Sequence, residues 1–330
     1  MQEPFKDLPK PTDGRLIAGF WRRIGAFLID GLVLGLVGVI LGWIFYDALA
    51  SLGSLGHIIG WVIAIAYLAP MNSWIGDGQT IGKRVVGIKV VGFDGQAIGF
   101  GRSMVRSAVL ATPVLLNGCS FSIGTNEPSL TLTALGCLMS LIVFGGLASE
   151  LYLYLFNIGT RQTLHDLAAG TVVVTETSEA AIEHRTPKLH RAIVASLLVL
   201  AATGPLLLLN QRPDPALSEI LALVQSLPDV SNARVAHQTF YLKTTDAALK
   251  SNEAIVVVAV LSHVSVSLEA EAGLIAQQVL SKPDLVPGIP LAITVIHGFD
   301  LGIASSSATF SRSRTAQEWA NSGSAKASAL

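Results

Sequence analysis

Apolar residues in this chain come in long unbroken runs, where a soluble helix would show a spaced stripe. From 24 to 46 the only charged residue is Asp30, and the run exceeds the about 20 apolar residues a helix needs to cross a bilayer. A second run, 57–75, has Trp61 near its start and Trp74 near its end, with Pro70 and Asn72 predicting a kink at its exit. Residues 103–118 predict a third, short helix bent at Pro113, and 130–156 a long fourth. Residues 192–209, with Gly204-Pro205, form a fifth segment of marginal spanning length.

Between and beyond these runs the period changes. Residues 84–91 are β-branched and partly alternating, Asp94-Gly95 is a hairpin turn signal, and 96–100 can return as a strand. This predicts a small β-hairpin at the membrane surface, which 171–174 can join as a further strand. Residues 212–310 have the composition of a soluble domain, with helices over 215–227 and 267–280 and strands over 239–242, 254–261 and 291–296. The fold class is therefore an α-helical multi-pass membrane bundle of about five transmembrane helices, with a small cytoplasmic β-hairpin or sheet and a C-terminal soluble α+β domain. The domain reading runs 1–19 flexible leader, 20–176 membrane domain with four transmembrane helices, 177–191 linker, 192–210 fifth helix, 211–310 α+β domain and 311–330 disordered tail. No internal repeat is visible, and so no inverted-repeat transporter signature.

Composition agrees with lipid as the solvent. Only 14% of the 330 residues are charged and the mean hydropathy is +0.57, too oily for an ordinary soluble protein. A net charge of -1 gives no nucleic-acid signature. Cys119 and Cys137 match no metal or redox spacing and read as free structural thiols. No cleavable signal precedes the first run. Basic residues fall on one side: five in the leader (Lys6, Lys10, Arg15, Arg22, Arg23), five by the hairpin (Lys83, Arg84, Lys89, Arg102, Arg106) and four in 157–191. The turns 47–56 and 119–129 hold none. The positive-inside rule then puts the N-terminus, hairpin and linker in the cytoplasm, and five crossings put the C-terminal domain outside it.

The candidate chemistry lies in the few charges inside apolar runs. Arg23 and Asp30 are two helical turns apart and share a face, Asp30 roughly 10 Å deeper. Glu150, Tyr154 and Asn157 make a polar stripe at the inner end of the fourth helix, and Arg106 stands at the matching end of the third. Asp30, Glu150 and Arg106 are expected to cluster, since a lipid-facing charge costs several kcal/mol. Two readings stay open: a proton or cation route, or a fixed salt-bridge knot that locks packing. The stretch 76–83 resembles a phosphate loop but has the wrong glycine spacing, with Arg84 where a metal-binding hydroxyl belongs, and reads as a turn. His184, His190 and Glu183 lack ligand spacing. No catalytic, metal or cofactor motif stands out, so no enzyme and no cofactor is expected.

Three passages form one pattern: Arg23-x-x-Ala26-x-x-x-Asp30; Gly78-x-Thr80-x-Gly82-Lys83 through Gly87-Ile-Lys-Val-Val91 and Asp94-Gly95 to Arg106; and Leu164-His165-Asp166-x-x-Ala169-Gly170-Thr171. Together, over about 18–176, they resemble the RDD family of prokaryotic membrane proteins, named for an arginine and two aspartates. By position those are Arg23, Asp30 and Asp166. The resemblance implies a bacterial inner-membrane protein, and cation/proton antiport has been proposed for some members. The fifth helix and the C-terminal domain lie outside the pattern. Two functions fit these features. In one, protons or cations bind Asp30 and Glu150, with Arg106 tuning them and Asp166 at the cytoplasmic mouth, in a homo-oligomer. In the other, the chain is a non-catalytic anchor or scaffold whose extracytoplasmic domain binds a protein partner.

Overall fold

A computed structural model describes residues 17–117, 130–176, 186–208, 214–243 and 249–327, apart from 265, 283, 285 and 287. The expectations for the leader before 17, for Cys119 and for most of the linker fall outside these residues. The described helices are α1 Phe20–Ile44, α2 Tyr46–Ser51, α3 Gly56–Met71, α4 Ile81–Val86, α5 Phe100–Leu116, α6 Leu130–Ser140, α7 Gly146–Phe156, α8 Leu164–Ala169, α9 Lys188–Thr203, α10 Pro215–Gln225, α11 Leu268–Leu280 and α12 Ala316–Ala327. The strands are β1 Ile88–Gly92, β2 Thr171–Thr175, β3 Val230–Lys243, β4 Leu249–Leu261, β5 Leu291–Asp300 and β6 Ser305–Arg314. Among the described residues, four helical stretches are long and apolar enough to cross a membrane: Phe20–Ile44, Gly53–Met71, Leu130–Phe156 and Lys188–Leu207. The expected third crossing, α5, has 17 residues and is not among them. The last span begins at Lys188, four residues before the expected start, because Pro187 stands at its N-cap and fixes the entry.

The chain divides into two compact units. The first gathers Met1–Gly35, Trp61–Asn117 and Ala134–Leu207. Here α6 and α7 are joined by a π-helical turn, Leu141–Gly145, and small residues set the helix crossings. A Cβ on Gly145 would lie 3.1 Å from Leu198 of α9, and one on Gly146 2.8 Å from Pro113 of α5. The expected hairpin is corrected. Residues 81–86 are helical, and β1 pairs antiparallel with β2, Val90 opposite Val173, so the partner strand comes from far along the chain. The Asp94-Gly95 turn does form, closed by Gly92 N–H to Gln96 O at 2.9 Å, but no strand follows it. Isoleucine and valine at 88, 90, 172, 173 and 174 are fully or almost fully buried, so the pair is held by side-chain packing on both faces. The leader is tied down at its end: Ile17 bridges to Val174, and Ala18 N–H donates to Val173 O.

The second unit gathers Leu36–Gly60, Gly118–Thr133 and Leu208–Leu330. Its sheet has the order β3-β4-β5-β6; β4 and β5 are parallel and the outer pairs antiparallel. The parallel pair needs a crossover, which α11 supplies. Along β4 and β5 burial alternates with period two, and Ile255, Val257, Ala259, Leu261, Leu291, Ile293 and Val295 form one core with α10 and α11. The expected disordered tail, 311–330, is corrected. It contains the end of β6 and then α12, whose Trp319 is buried in this core and donates Nε1–H to Leu291 O at 2.9 Å. A Ser/Ala-rich composition hid an edge strand and a helix anchored by one large aromatic residue.

Candidate functional site

The charged residues singled out in the sequence all lie in the first unit, but they form two centres. At the first, Asp166 is completely buried in α8. Thr163 opens this helix with a capping box, and Gly170 closes it at a positive φ of 60°. The cap directs the Asp166 carboxylate back toward the helix start, where Thr163 N–H and Oγ1–H donate to it at 3.4 and 3.2 Å. Thr171 at the head of β2 adds a bond of 3.1 Å. Arg106 of α5 donates through Nε and Nη2 at 3.1 and 3.0 Å. Arg23, in the first turn of α1, donates to the other carboxylate oxygen and also to Arg161 O. Arg161 takes a left-handed φ of 51°, uncommon for a side chain of this size. Asp166 thus joins α1, α5, α8 and β2. The Arg23 and Arg106 guanidiniums outweigh the burial that opposes ionisation, and hold its carboxyl far below the usual carboxylate range.

Glu150 of α7 reaches this centre through His165, whose Nδ1 lies 2.6 Å from Glu150 Oε1 and whose Nε2 lies 3.7 Å from Asp166. His165 N–H also donates to Glu150 at 3.1 Å. The other two members of the expected stripe serve packing. Tyr154 donates to Phe20 O at 3.1 Å, and Asn157 donates to Thr160, Gln162 O and Thr186 within 3.2 Å. Arg102 caps the end of α8 by donating to Ala169 O and Gly170 O.

The expected cluster of Asp30 with Glu150 and Arg106 is corrected. Arg106 goes to Asp166, and Asp30 is held at a second centre by neutral donors: Tyr67 OH at 2.7 Å, Thr80 Oγ1 at 2.5 Å and Gly82 N–H at 2.8 Å. The 76–83 stretch does end at a helix start that takes an anion, and that anion is the protein's own Asp30. The first-turn N–H groups of α4 have no partner within the helix, and with the local dipole they favour a carboxylate there. Gly82 is required by this approach, since a Cβ would meet Ala26 O at 2.1 Å. Thr80 serves twice, donating to Asp30 and accepting from Lys83 N–H at 3.3 Å.

Lys83 was missed as a site residue. It is buried, and its Nζ donates to Asn72 Oδ1 at 2.5 Å, while Asn72 Nδ2 donates to Leu68 O at 2.8 Å. Burial, reinforced by the Arg106 charge and opposed by Asp30 and Asp166, pulls its ammonium down to about 7. His165 and Tyr67 were missed as well. The Leu-His-Asp and Gly-Lys passages contained two of the three, but only the fold shows that their side chains turn inward.

Residues 17–170 match the profile of the RDD family. An uncharacterized protein of Bacillus subtilis strain 168, YckC, is 29% identical over 157 residues, which cover 47% of this chain and 83% of that protein. No solved structure matches the chain.

Proposed function

Taking residues 17–170 as a membrane domain of the RDD family, we propose that this chain is a non-catalytic membrane scaffold that carries its C-terminal α+β domain on the extracytoplasmic face for a protein partner. The observation that carries this reading is the saturation of Asp166 by Arg23, Arg106, Thr163 and Thr171. A carboxylate shared among four elements of the bundle is a fastener; a group that loads and unloads an ion keeps a free side. Orientation rests on charge: the 36–60 segment has no lysine or arginine and packs against β5 within its own unit, which by the positive-inside rule supports placing that domain outside an inner membrane. Deleting residues 213–330 from the tagged protein tests the scaffold. The truncated protein is expected to insert and to lose the partners that copurify with the full chain. Unchanged copurification would overturn the reading.

A second reading, proton or cation transport in a homo-oligomer, is favoured by the burial of Lys83, whose Nζ is held by the neutral Asn72 side chain and whose ammonium that burial pulls down to about 7. On this reading Asp30→Asn and Lys83→Met abolish cation-driven proton movement in vesicles of the reconstituted protein. Movement absent from the unaltered protein would remove transport and leave the scaffold.

A further inference from the structure

The tip of the β5–β6 hairpin, residues 299–304, is apolar except for Asp300. Phe299 and Leu301 are buried in a small cluster with Leu49, against which Leu41, Tyr46, Leu52, Ile59 and Ile303 pack. The Tyr46 ring meets Phe299 edge-on at 5.6 Å, and its hydroxyl donates to His297 O at 3.3 Å. Asp300 lies 3.2 Å from Nε2 of His57, which is buried in α3. The hydrogen bond from His57, with a further one from Gly302 N–H, holds the Asp300 carboxyl below its ordinary value. Gly302, at φ 71°, turns the chain. The tip therefore brings a single charge with it, and that charge finds a partner on arrival.

Its seat is made of glycine. Gly38-Val-Ile-Leu-Gly42 lies near the end of α1, and Gly56-His-Ile-Ile-Gly60 opens α3. Both have the G-x-x-x-G spacing through which membrane helices bring their backbones together. At all four positions a Cβ would strike the tip: Ala304 Cβ at 2.6 Å from Gly38, the Phe299 ring at 2.0 Å from Gly42, Asp300 O at 2.5 Å from Gly56 and Leu301 O at 1.7 Å from Gly60. At Gly56 and Gly60 the obstacle is backbone, which has no rotamer to escape by. Gly31, also in α1, has nothing within 4 Å. The close approach that such glycines ordinarily give a neighbouring helix is here given to a β-turn.

We propose that the 299–304 tip is a wedge: seated, it occupies the G-x-x-x-G faces at the ends of the first two spans, and withdrawn, it lets those faces close on each other. The C-terminal domain thereby sets the spacing of the two span ends.

Cysteine cross-linking of the full chain in membrane vesicles, with Cys119 and Cys137 replaced by serine, tests both halves. Leu52→Cys with Ile303→Cys reports the seated tip and is expected to cross-link. Adding Gly42→Leu or Gly60→Leu is expected to lower the yield at least fivefold, and Gly31→Leu to leave it unchanged. No cross-link in the parent pair, or a yield indifferent to Gly42 and Gly60, would overturn the seat. Leu41→Cys with Ile59→Cys reports closure. Its yield is expected to rise at least threefold when Phe299→Ala and Leu301→Ala unseat the tip, with both helices unaltered. Loss of the first cross-link without gain of the second would overturn the wedge.

Discussion

The two units solve the same packing problem with opposite materials. In the first, buried positions include Asp30, Asn72, Gln79, Thr80, Lys83, Arg106, Asn157, Gln162, His165 and Asp166, while Leu32, Leu36, Leu138, Phe144, Leu151, Val199 and other large apolar residues face outward along its spans and those of its neighbour. Within 214–321, Glu271 is the one polar residue among the described buried positions, and the core is aliphatic with Trp319. The contrast follows from the solvent. Between helices in lipid there is no hydrophobic driving force, so polar contacts and close backbone packing hold them, whereas in water burial of apolar area drives folding. The same contrast separates what each unit tolerates.

The largest effect is expected at the charged joint. Asp166→Asn leaves Arg23 and Arg106 buried without a counter-charge, a loss of about 3–5 kcal/mol. Thermal melting in detergent should show it as collapse of the first unit, while proteolytic resistance of residues 214–327 persists. Trp319→Ala should do the converse. Emptying an aromatic site in the aliphatic core costs about 3 kcal/mol, so the second unit becomes protease-sensitive at lower denaturant while melting of the helices is unchanged. If both variants weakened both units alike, the two units would not be held by different forces.

The next effect is one of pH. The Lys83 pKa falls from 10.5 to about 7 on folding, so between those values the unfolded chain holds a proton that the folded one lacks. Stability therefore rises with pH from about 7 toward 10.5, by at most about 1.4 kcal/mol per unit. Denaturation of the first unit at pH 7.5 and 9.5 should show this rise, and Lys83→Met should flatten it. A slope that survives in Lys83→Met would reassign the titration. The smallest effect lies on the surface of the second unit. Lys282 pairs with Glu219 where both side chains are about half exposed, and Lys282→Ala should cost no more than about 1 kcal/mol in its denaturation midpoint.

Much of this could be read from the residues. Apolar runs located directly three of the four described helices long and apolar enough to span, because a crossing helix has to satisfy its own backbone and carry about 20 apolar residues. The marginal fifth run proved to be part of a helix long enough to span, and α5, with 17 residues, lies at the short end of the spanning range. Period-two alternation located β4 and β5. The rest depended on partners remote in sequence. Residues 171–174, expected as a further strand, do join β1, but they take the place expected for 96–100, some eighty residues nearer, and local turn signals carry no information about which of two candidates wins. Residues 311–330 look like tail because Trp319 alone supplies the anchor, and one aromatic residue makes no period.

By itself the sequence determined the solvent, since the length of an apolar run and the scarcity of charge act at every position independently of the fold. It also determined that Arg23, Asp30, Arg106, Glu150 and Asp166 would not be left facing lipid. Which of them would meet was decided by tertiary structure alone. Asp166 took both arginines because its capping box turns the carboxylate toward α1 and α5, and Asp30 was left to Tyr67, Thr80 and the Gly82 amide because Gly82 lets α4 come within contact of α1. Charge pairing depends on a few ångströms of side-chain direction, and those are fixed only when helices from distant parts of the chain have docked.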